Sequence, residues 1–138
     1  MPEPPRPCFV CGIVRGRAER PELVVHRDRV AVTFLASPGV VPGHTVVAPV
    51  RHVEAAVGDF PVADYLELQR RVHEVGTAVS AVVPTGRLQV LGGGSGHVRW
   101  QVLPVPPGVR VFDPLGLPEL PPAERDALAE SLRALLFR

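Results

Sequence analysis

The sequence predicts an α+β domain in which an antiparallel sheet of about five strands carries one long helix across it, followed by a C-terminal helix. Three observations lead there. Short β-branched runs separated by turn residues cluster at 23–49 and again at 87–105. Apolar residues recur at helical spacing between 60 and 82, and a leucine stripe runs through 123–137. Strands grouped around a single long helix fit a helix-on-sheet layering.

Leu23-Val24-Val25-His26 and Val30-Ala31-Val32-Thr33-Phe34-Leu35 read as two strands joined by the polar turn Arg27-Asp28-Arg29, hence a hairpin. Pro38-Gly39 and Pro42-Gly43 punctuate a loop, after which His44-Thr45-Val46-Val47-Ala48-Pro49 resumes an extended run that Pro49 ends. Asp59 followed by Pro61 resembles an N-cap with an early helical proline. Val62, Tyr65, Leu66, Leu68, Val72, Val75 and Val79 then define one amphipathic helix over 60–82. Pro84-Thr85-Gly86 closes it. Arg87 to Leu91 and His97 to Val105 form two more strands around Gly92-Gly93-Gly94-Ser95-Gly96, paired as antiparallel neighbours. Ala123 to Phe137 places Leu128, Leu132, Leu135 and Leu136 on one helical face.

A chain of 138 residues is the size of one domain. With 46% hydrophobic and 21% charged residues it is too apolar for disorder. Fifteen basic against 14 acidic residues give no net field to gather phosphate backbones, which argues against general nucleic-acid binding. All the basic residues are arginine, so no P-loop lysine, Schiff-base lysine or lysine general base operates here. The N-terminus, Met1-Pro2-Glu3-Pro4-Pro5-Arg6-Pro7, lacks the apolar run of a signal peptide, and no 18-residue apolar stretch spans a bilayer, so a cytoplasmic protein without a membrane partner is expected.

Cys8 and Cys11 are the only cysteines, spaced C-x-x-C, which in a reducing compartment favours metal or redox chemistry over a structural disulfide. A thioredoxin-type pair follows a strand and opens a helix; this one follows a proline-rich tail and precedes Gly12 and a basic stretch, so metal binding is the better reading. Two thiolates are half of a tetrahedral zinc site that imidazoles would complete. The candidates are His26, His44, His52, His73 and His97. His73 belongs to a solvated helix face and His26 to a superficial strand end, while His44, His52 and His97 stand beside glycine or proline at strand ends. Spacing does not choose two of the three.

Pro7-Cys8-Phe9-Val10-Cys11-Gly12-Ile13-Val14-Arg15-Gly16, then Val32-Thr33-Phe34-Leu35, then Pro42-Gly43-His44-Thr45-Val46-Val47-Ala48-Pro49-Val50-Arg51-His52-Val53 resemble the N-terminal half of the histidine triad proteins, with order and spacing matched over about 7–105. The resemblance implies a half-barrel antiparallel sheet, usually dimeric, that binds nucleotides and reacts at their α-phosphate. The family's His-x-His-x-His corresponds here to His97-Val98-Arg99-Trp100-Gln101. Strand alternation places His97, Arg99 and Gln101 on one face and Val98, Trp100 and Val102 on the other. In the family the middle histidine attacks phosphorus. Arg99 stands there, and a protonated guanidinium has no lone pair to attack with.

Gln at the third position also resembles the galactose-1-phosphate uridylyltransferase branch. That likeness implies a structural zinc on Cys8, Cys11, His52 and His97, four protein ligands that leave no open position for water. Two further departures concern ligand contacts. The Gly92–Gly96 turn stands where relatives carry an Asn-rich turn and a Gly-Gln-Ser or Gly-Gln-Thr segment, and Ala36 stands where they place an acidic residue on a ribose.

The expected protein is therefore a zinc-stapled homodimer that binds a nucleotide or another phosphate-containing small molecule through Arg99, Gln101 and Ser95, without nucleotidyl hydrolase or transferase activity. Residues 1–105 form its domain, including the zinc-binding segment. Residues 106–138 form a proline-rich linker and a helix that belongs to the same domain or to a dimer interface. The alternatives are an active enzyme in which Arg99 clamps an anionic substrate and a dimeric scaffold with an unused cleft. Stabilisation by nucleotides separates them, because selective binding to the native state raises the melting temperature.

Overall fold

The computed structural model describes residues 8–93, 96–109 and 119–136. Five strands make one sheet: β1 (Val24–Arg27), β2 (Ala31–Leu35), β3 (Thr45–Pro49), β4 (Arg87–Gly93) and β5 (Arg99–Val105). The order is β1-β2-β3-β5-β4 and every neighbouring pair is antiparallel. Helix α1 (Phe9–Val14) precedes the sheet, α2 (Val62–Val82) links β3 to β4, and α3 (Pro122–Leu136) ends the described chain. Among the described residues no helix is long and apolar enough to cross a membrane.

The two faces of the sheet are covered unequally. On one, Ala31, Leu35, Val47, Trp100 and Val102 pack against Leu68, Val72, Val75 and Val79 of α2 and against Leu128, Ala129 and Leu132 of α3. The α3 leucines thus serve this chain's own core. On the other face, among the described residues, Val32, Phe34, Val46 and Ala48 meet only Val10 and Ile13 of α1 as buried partners. With one layer on each side, β2 and β3 are buried at every position, which is why they read as continuous apolar runs and not as alternating ones.

The edges differ too. At β1, Arg133 of α3 donates to the carbonyls of Val24 (3.0 Å) and Glu22 (3.2 Å), covering part of the strand's outer backbone. Among the described residues β4 has a strand on one side only, and it exposes Val90 and Leu91.

Local expectations needed three corrections. α2 begins at Val62 with Pro61 as its N-cap, and Asp59 does not cap it; the Asp59 carboxylate accepts the Ala55 amide at 3.0 Å, closing the preceding turn instead. Asp59 was two residues too early to reach the first free amides of the helix. The hairpin turn is also more specific than its polarity suggested. Asp28 Oδ1 accepts the amides of Val30 (2.7 Å) and Ala31 (2.9 Å), while Oδ2 accepts Arg71 Nε of α2 at 2.6 Å, pinning hairpin to helix.

The third correction is α1, which the sequence reading did not contain. Cys8 is its N-cap, and Sγ accepts the Cys11 amide at 3.4 Å. Its far end is a Schellman closure: Arg17 N–H donates to Gly12 O (2.8 Å), Gly16 N–H donates to Ile13 O (3.0 Å), and Gly16 takes φ +76°, the left-handed conformation glycine adopts without steric cost. So the C-x-x-C pair does open a helix.

Candidate metal centre and adjoining cleft

Four side chains converge where α1 meets the ends of β3 and β5. The ligand atoms of Cys8, Cys11, His52 and His97 all lie within 4.8 Å of one another. Cys8 Sγ is 3.3 Å from His97 Nδ1, Cys11 Sγ is 3.6 Å from the same nitrogen, and Cys11 Sγ is 3.4 Å from His52 Nδ1. A zinc tetrahedron with Zn–S near 2.3 Å and Zn–N near 2.0–2.1 Å has edges of about 3.3–3.8 Å, so the sulfur–nitrogen spacings already match.

The imidazoles are oriented for ligation. His97 Nε2–H donates to the Pro49 carbonyl at 2.7 Å, and His52 Nε2–H donates to Glu54 Oε1 at 3.2 Å. Each partner fixes the tautomer that leaves Nδ1 as a bare lone pair facing the sulfurs, the outer-shell arrangement typical of metal-bound histidine. Burial of His97 lowers its pKa despite the Pro49 carbonyl, keeping the ring neutral. The Glu54 carboxylate raises that of His52. Burial pushes the Cys8 thiol up, but the amide and thiol of Cys11 outweigh it and the net shift is downward; burial and the adjacent Cys8 sulfur push Cys11 up. A vicinal pair in which one thiol ionises readily and its charge opposes the second is what a divalent cation relieves.

The residues therefore fit zinc. Cys8, Cys11, His52 and His97 would hold it as a closed Cys₂His₂ site, and the metal would supply a cross-link joining α1 to both strand ends. The other histidines are engaged elsewhere. His44 Nδ1 accepts the Val40 amide at 3.1 Å and its Nε2–H donates to Gln101 Oε1; burial lowers its pKa, consistent with this neutral form. His26 is half-buried beside Asp28, with Nε2 3.7 Å from Oδ2, so it is less superficial than expected: the hairpin turn sets Asp28 next to it, and Arg71 of α2 binds the same carboxylate oxygen. His73 is exposed on α2, as expected.

Beside the metal centre lies a cleft of about 320 Å³ on the thinly covered face. Arg99 and Gln101 stand on its floor with Val46 and Phe34, Phe9 and Ile13 form a wall, and Ala36, Ser37 and Arg20 line the rim. β5 begins at Arg99, two residues later than expected, so His97 stands before the strand; from Arg99 on the alternation is as the sequence indicated, and Val98, Trp100 and Val102 enter the main core. His44 holds the Gln101 carbonyl oxygen, which leaves the amide NH₂ as the group Gln101 presents onward. Opposite Arg99 on β4 is Gly93, so the directly paired residue sets no side chain against it. Arg99 Nε donates to the His97 carbonyl at 3.4 Å. On the rim, Arg20 donates to Ser37 Oγ at 2.7 Å. The floor thus carries one cation and one amide donor beside apolar side chains, with the Glu19 carboxylate also in the lining; Arg99 and Gln101 are the groups that can hold an anion. Ser95 lies outside the described residues.

Sequence reasoning missed Phe9, Ile13, Arg20 and Ser37. Gly16 was the available signal for the first two: a glycine closing a short helix makes Phe9 and Ile13 an i, i+4 pair on one side of it.

No family model matches the sequence, and the sequence of no curated protein matches it. Solved structures do match in fold. A hypothetical histidine triad nucleotide-binding protein from Sulfolobus tokodaii superposes with a TM-score of 0.76 at 21% identity, over 94% of this chain and 92% of that one. A zinc-bound histidine triad family protein from Mycobacterium smegmatis gives 0.74 at 22% identity, over 94% and 93%. A uridylyltransferase gives 0.68 at 14% identity, over 94% of this chain and 45% of that one. The chain has the fold these proteins share.

Proposed function

We propose that this chain, built on the histidine triad fold, is a zinc-stapled member of that family that binds a nucleotide or another phosphate-bearing small molecule and has lost nucleotidyl transfer to histidine. One observation carries the reading: the floor offers no imidazole nitrogen for attack. Arg99 holds the middle triad position, both nitrogens of His97 are committed to the sulfurs and Pro49, and both nitrogens of His44 are committed to Val40 and Gln101. The donors that remain, Arg99 and the Gln101 amide, stabilise negative charge without forming a bond to it.

Nucleotide binding is supported by an apolar wall bearing an exposed phenylalanine, Phe9, next to those donors. Ala36 on the rim contributes no hydrogen bond to a sugar. The test is calorimetry with AMP, ADP and inorganic phosphate beside an assay of adenosine phosphoramidate hydrolysis. Saturable binding that weakens on Arg99→Ala, with no turnover above background, is expected. Turnover by the unmodified protein would overturn the reading and favour an enzyme that uses Arg99 as an electrophilic clamp.

The proposed assembly is a homodimer through β4. Its outer edge carries no charge beyond Arg87, and Val90 and Leu91 stand exposed beside Gly92 and Gly93, whereas the β1 edge is partly covered by α3. Val62 and Leu66 of α2 are exposed as well. Light scattering at micromolar concentration should give twice 14.8 kDa, and a monomer mass refutes the assembly.

A further inference from the structure

The helix that supplies two metal ligands also supplies the cleft wall. α1 is six residues long; Cys8 and Cys11 face His52 and His97, while Phe9 and Ile13 face the cleft. Apart from the cluster, α1 is seated on the sheet through Val10 and Ile13 against Val32, Phe34, Val46 and Ala48. The sulfurs are only partly buried, and the His52 side chain beside them is 42% exposed, so a small solute reaches the cluster from solvent. On the sheet side the attachment is independent of the sulfurs, because His97 is buried and held by Pro49.

We propose that Cys8 and Cys11 form an oxidation-sensitive latch on the cleft: hydrogen peroxide joins the two sulfurs, withdraws half of the ligand set and releases the wall made by Phe9 and Ile13. One thiolate attacks a peroxide oxygen and the O–O bond breaks, giving a sulfenic acid and hydroxide. The second thiolate attacks the sulfenic sulfur, the S–S bond forms and a second hydroxide leaves. Two protons from solvent convert both hydroxides to water, so the sulfurs lose two electrons and peroxide gains them. A disulfide carries neither anionic charge needed to hold a divalent cation against water, and His52 and His97 alone complete half a site.

A three-residue C-x-x-C step closes into a disulfide at a helix start without unwinding the helix. What oxidation removes is thus the tether between α1 and the strand ends, and without it a six-residue helix is too short to hold its own hydrogen bonds closed. A dithiol reductant with zinc resets the latch. The effect on ligand affinity rests on the function proposed above; the release of α1 does not.

The experiment uses the full, zinc-loaded chain titrated with hydrogen peroxide. Zinc in solution is followed with a metallochromic indicator, sulfur oxidation by intact mass, and amide hydrogen exchange over 9–17 and 99–105. Because the chain has only these two cysteines, any intramolecular disulfide is assigned without ambiguity. One disulfide and one released zinc per chain are expected, with exchange over 9–17 rising on the order of 100-fold, exchange over 99–105 unchanged, and both effects reversed by dithiothreitol plus zinc. Disulfide formation with zinc retained, or with 9–17 still protected, overturns the latch. AMP calorimetry on the same samples tests the other reading separately: a tenfold or greater loss on oxidation is expected where AMP binds, whereas no AMP binding in either state counts against the nucleotide reading while exchange still decides the latch.

Discussion

Replacing Cys11 with alanine tests whether α1 is held by metal. Ordering the ten residues 8–17 costs about 1–2 kcal/mol each, roughly 10–20 kcal/mol in all. Burying Val10 and Ile13 returns about 3–6 kcal/mol. The two Schellman hydrogen bonds add about 1 kcal/mol each. The segment is therefore unstable on the sheet by itself, and a Cys₂His₂ zinc site contributing about 10–16 kcal/mol brings the balance to a net few kcal/mol in favour of docking. Removing one sulfur forfeits that net, although Cys8 Sγ stays 3.3 Å from His97 Nδ1 and leaves that buried nitrogen partnered. The result is a loss of about 3–5 kcal/mol, or about 10–20 °C in melting temperature for a domain of this size. Calorimetry of wild type and Cys11→Ala, both purified without added metal, measures it beside elemental analysis, which should find one zinc per wild-type chain. A melting temperature within about 2 °C of wild type, or wild-type protein with negligible zinc, would refute the reasoning. His73→Ala, on the exposed side of α2, should lie within about 0.5 kcal/mol of wild type.

Gly92→Ala would place a Cβ 2.4 Å from Trp100 Nε1, against a ring buried to 4% exposure, so it should cost about 1–3 kcal/mol in denaturant unfolding. Adding Trp100→Leu should recover part of that loss; a strictly additive double mutant would show that the clash is not the cause. Asp28→Asn should cost about 1–3 kcal/mol at neutral pH, since burial raises the Asp28 pKa but the Ala31 and Val30 amides and Arg71 outweigh it and hold it below its ordinary 3.8. For a depressed carboxyl the stabilisation is complete above that ordinary value and disappears as pH falls through the folded one, so the gap between variant and wild type should close below pH 3.8 and persist above it. Arg99→Ala should weaken binding of AMP or sulfate about tenfold or more and flatten its dependence on salt, read by calorimetry at two ionic strengths; unchanged affinity removes Arg99 from the binding site. Arg99→His should not create phosphoramidate hydrolysis, because Ala36 and the glycine turn still leave the substrate poorly placed.

The periodicities of the chain determined a good deal by themselves. β-branched runs at 31–35 and 45–49 specify strands whatever packs on them, and the helical repeat from Val62 to Val79 fixes which side of α2 enters the core. A period of two in 99–102 decides that Arg99 shares a face with Gln101 while Trp100 goes to the core, because that division depends only on the backbone of one strand. The C-x-x-C pair by itself left metal and redox use open; its position after a proline-rich tail was the ground for preferring metal, and the helix it opens removes half of that ground.

Tertiary structure decided what lies far apart along the chain. Cys8 meets His97 across 89 positions and Cys11 meets His52 across 41, so local spacing could not separate His44 from the true partners; the fold did, by giving His44 to Gln101 and Val40 and turning the other two Nδ1 atoms toward sulfur. α1 was illegible for a related reason. Six residues containing Gly12 are below the length at which propensity sustains a helix, and this one exists through its N-cap sulfur, its glycine closure and the sheet beneath it. The cleft is the space between that helix and the strands, a non-local surface that forms only once the sheet and the metal ligands have brought Phe9 over Phe34, their rings 5.7 Å apart.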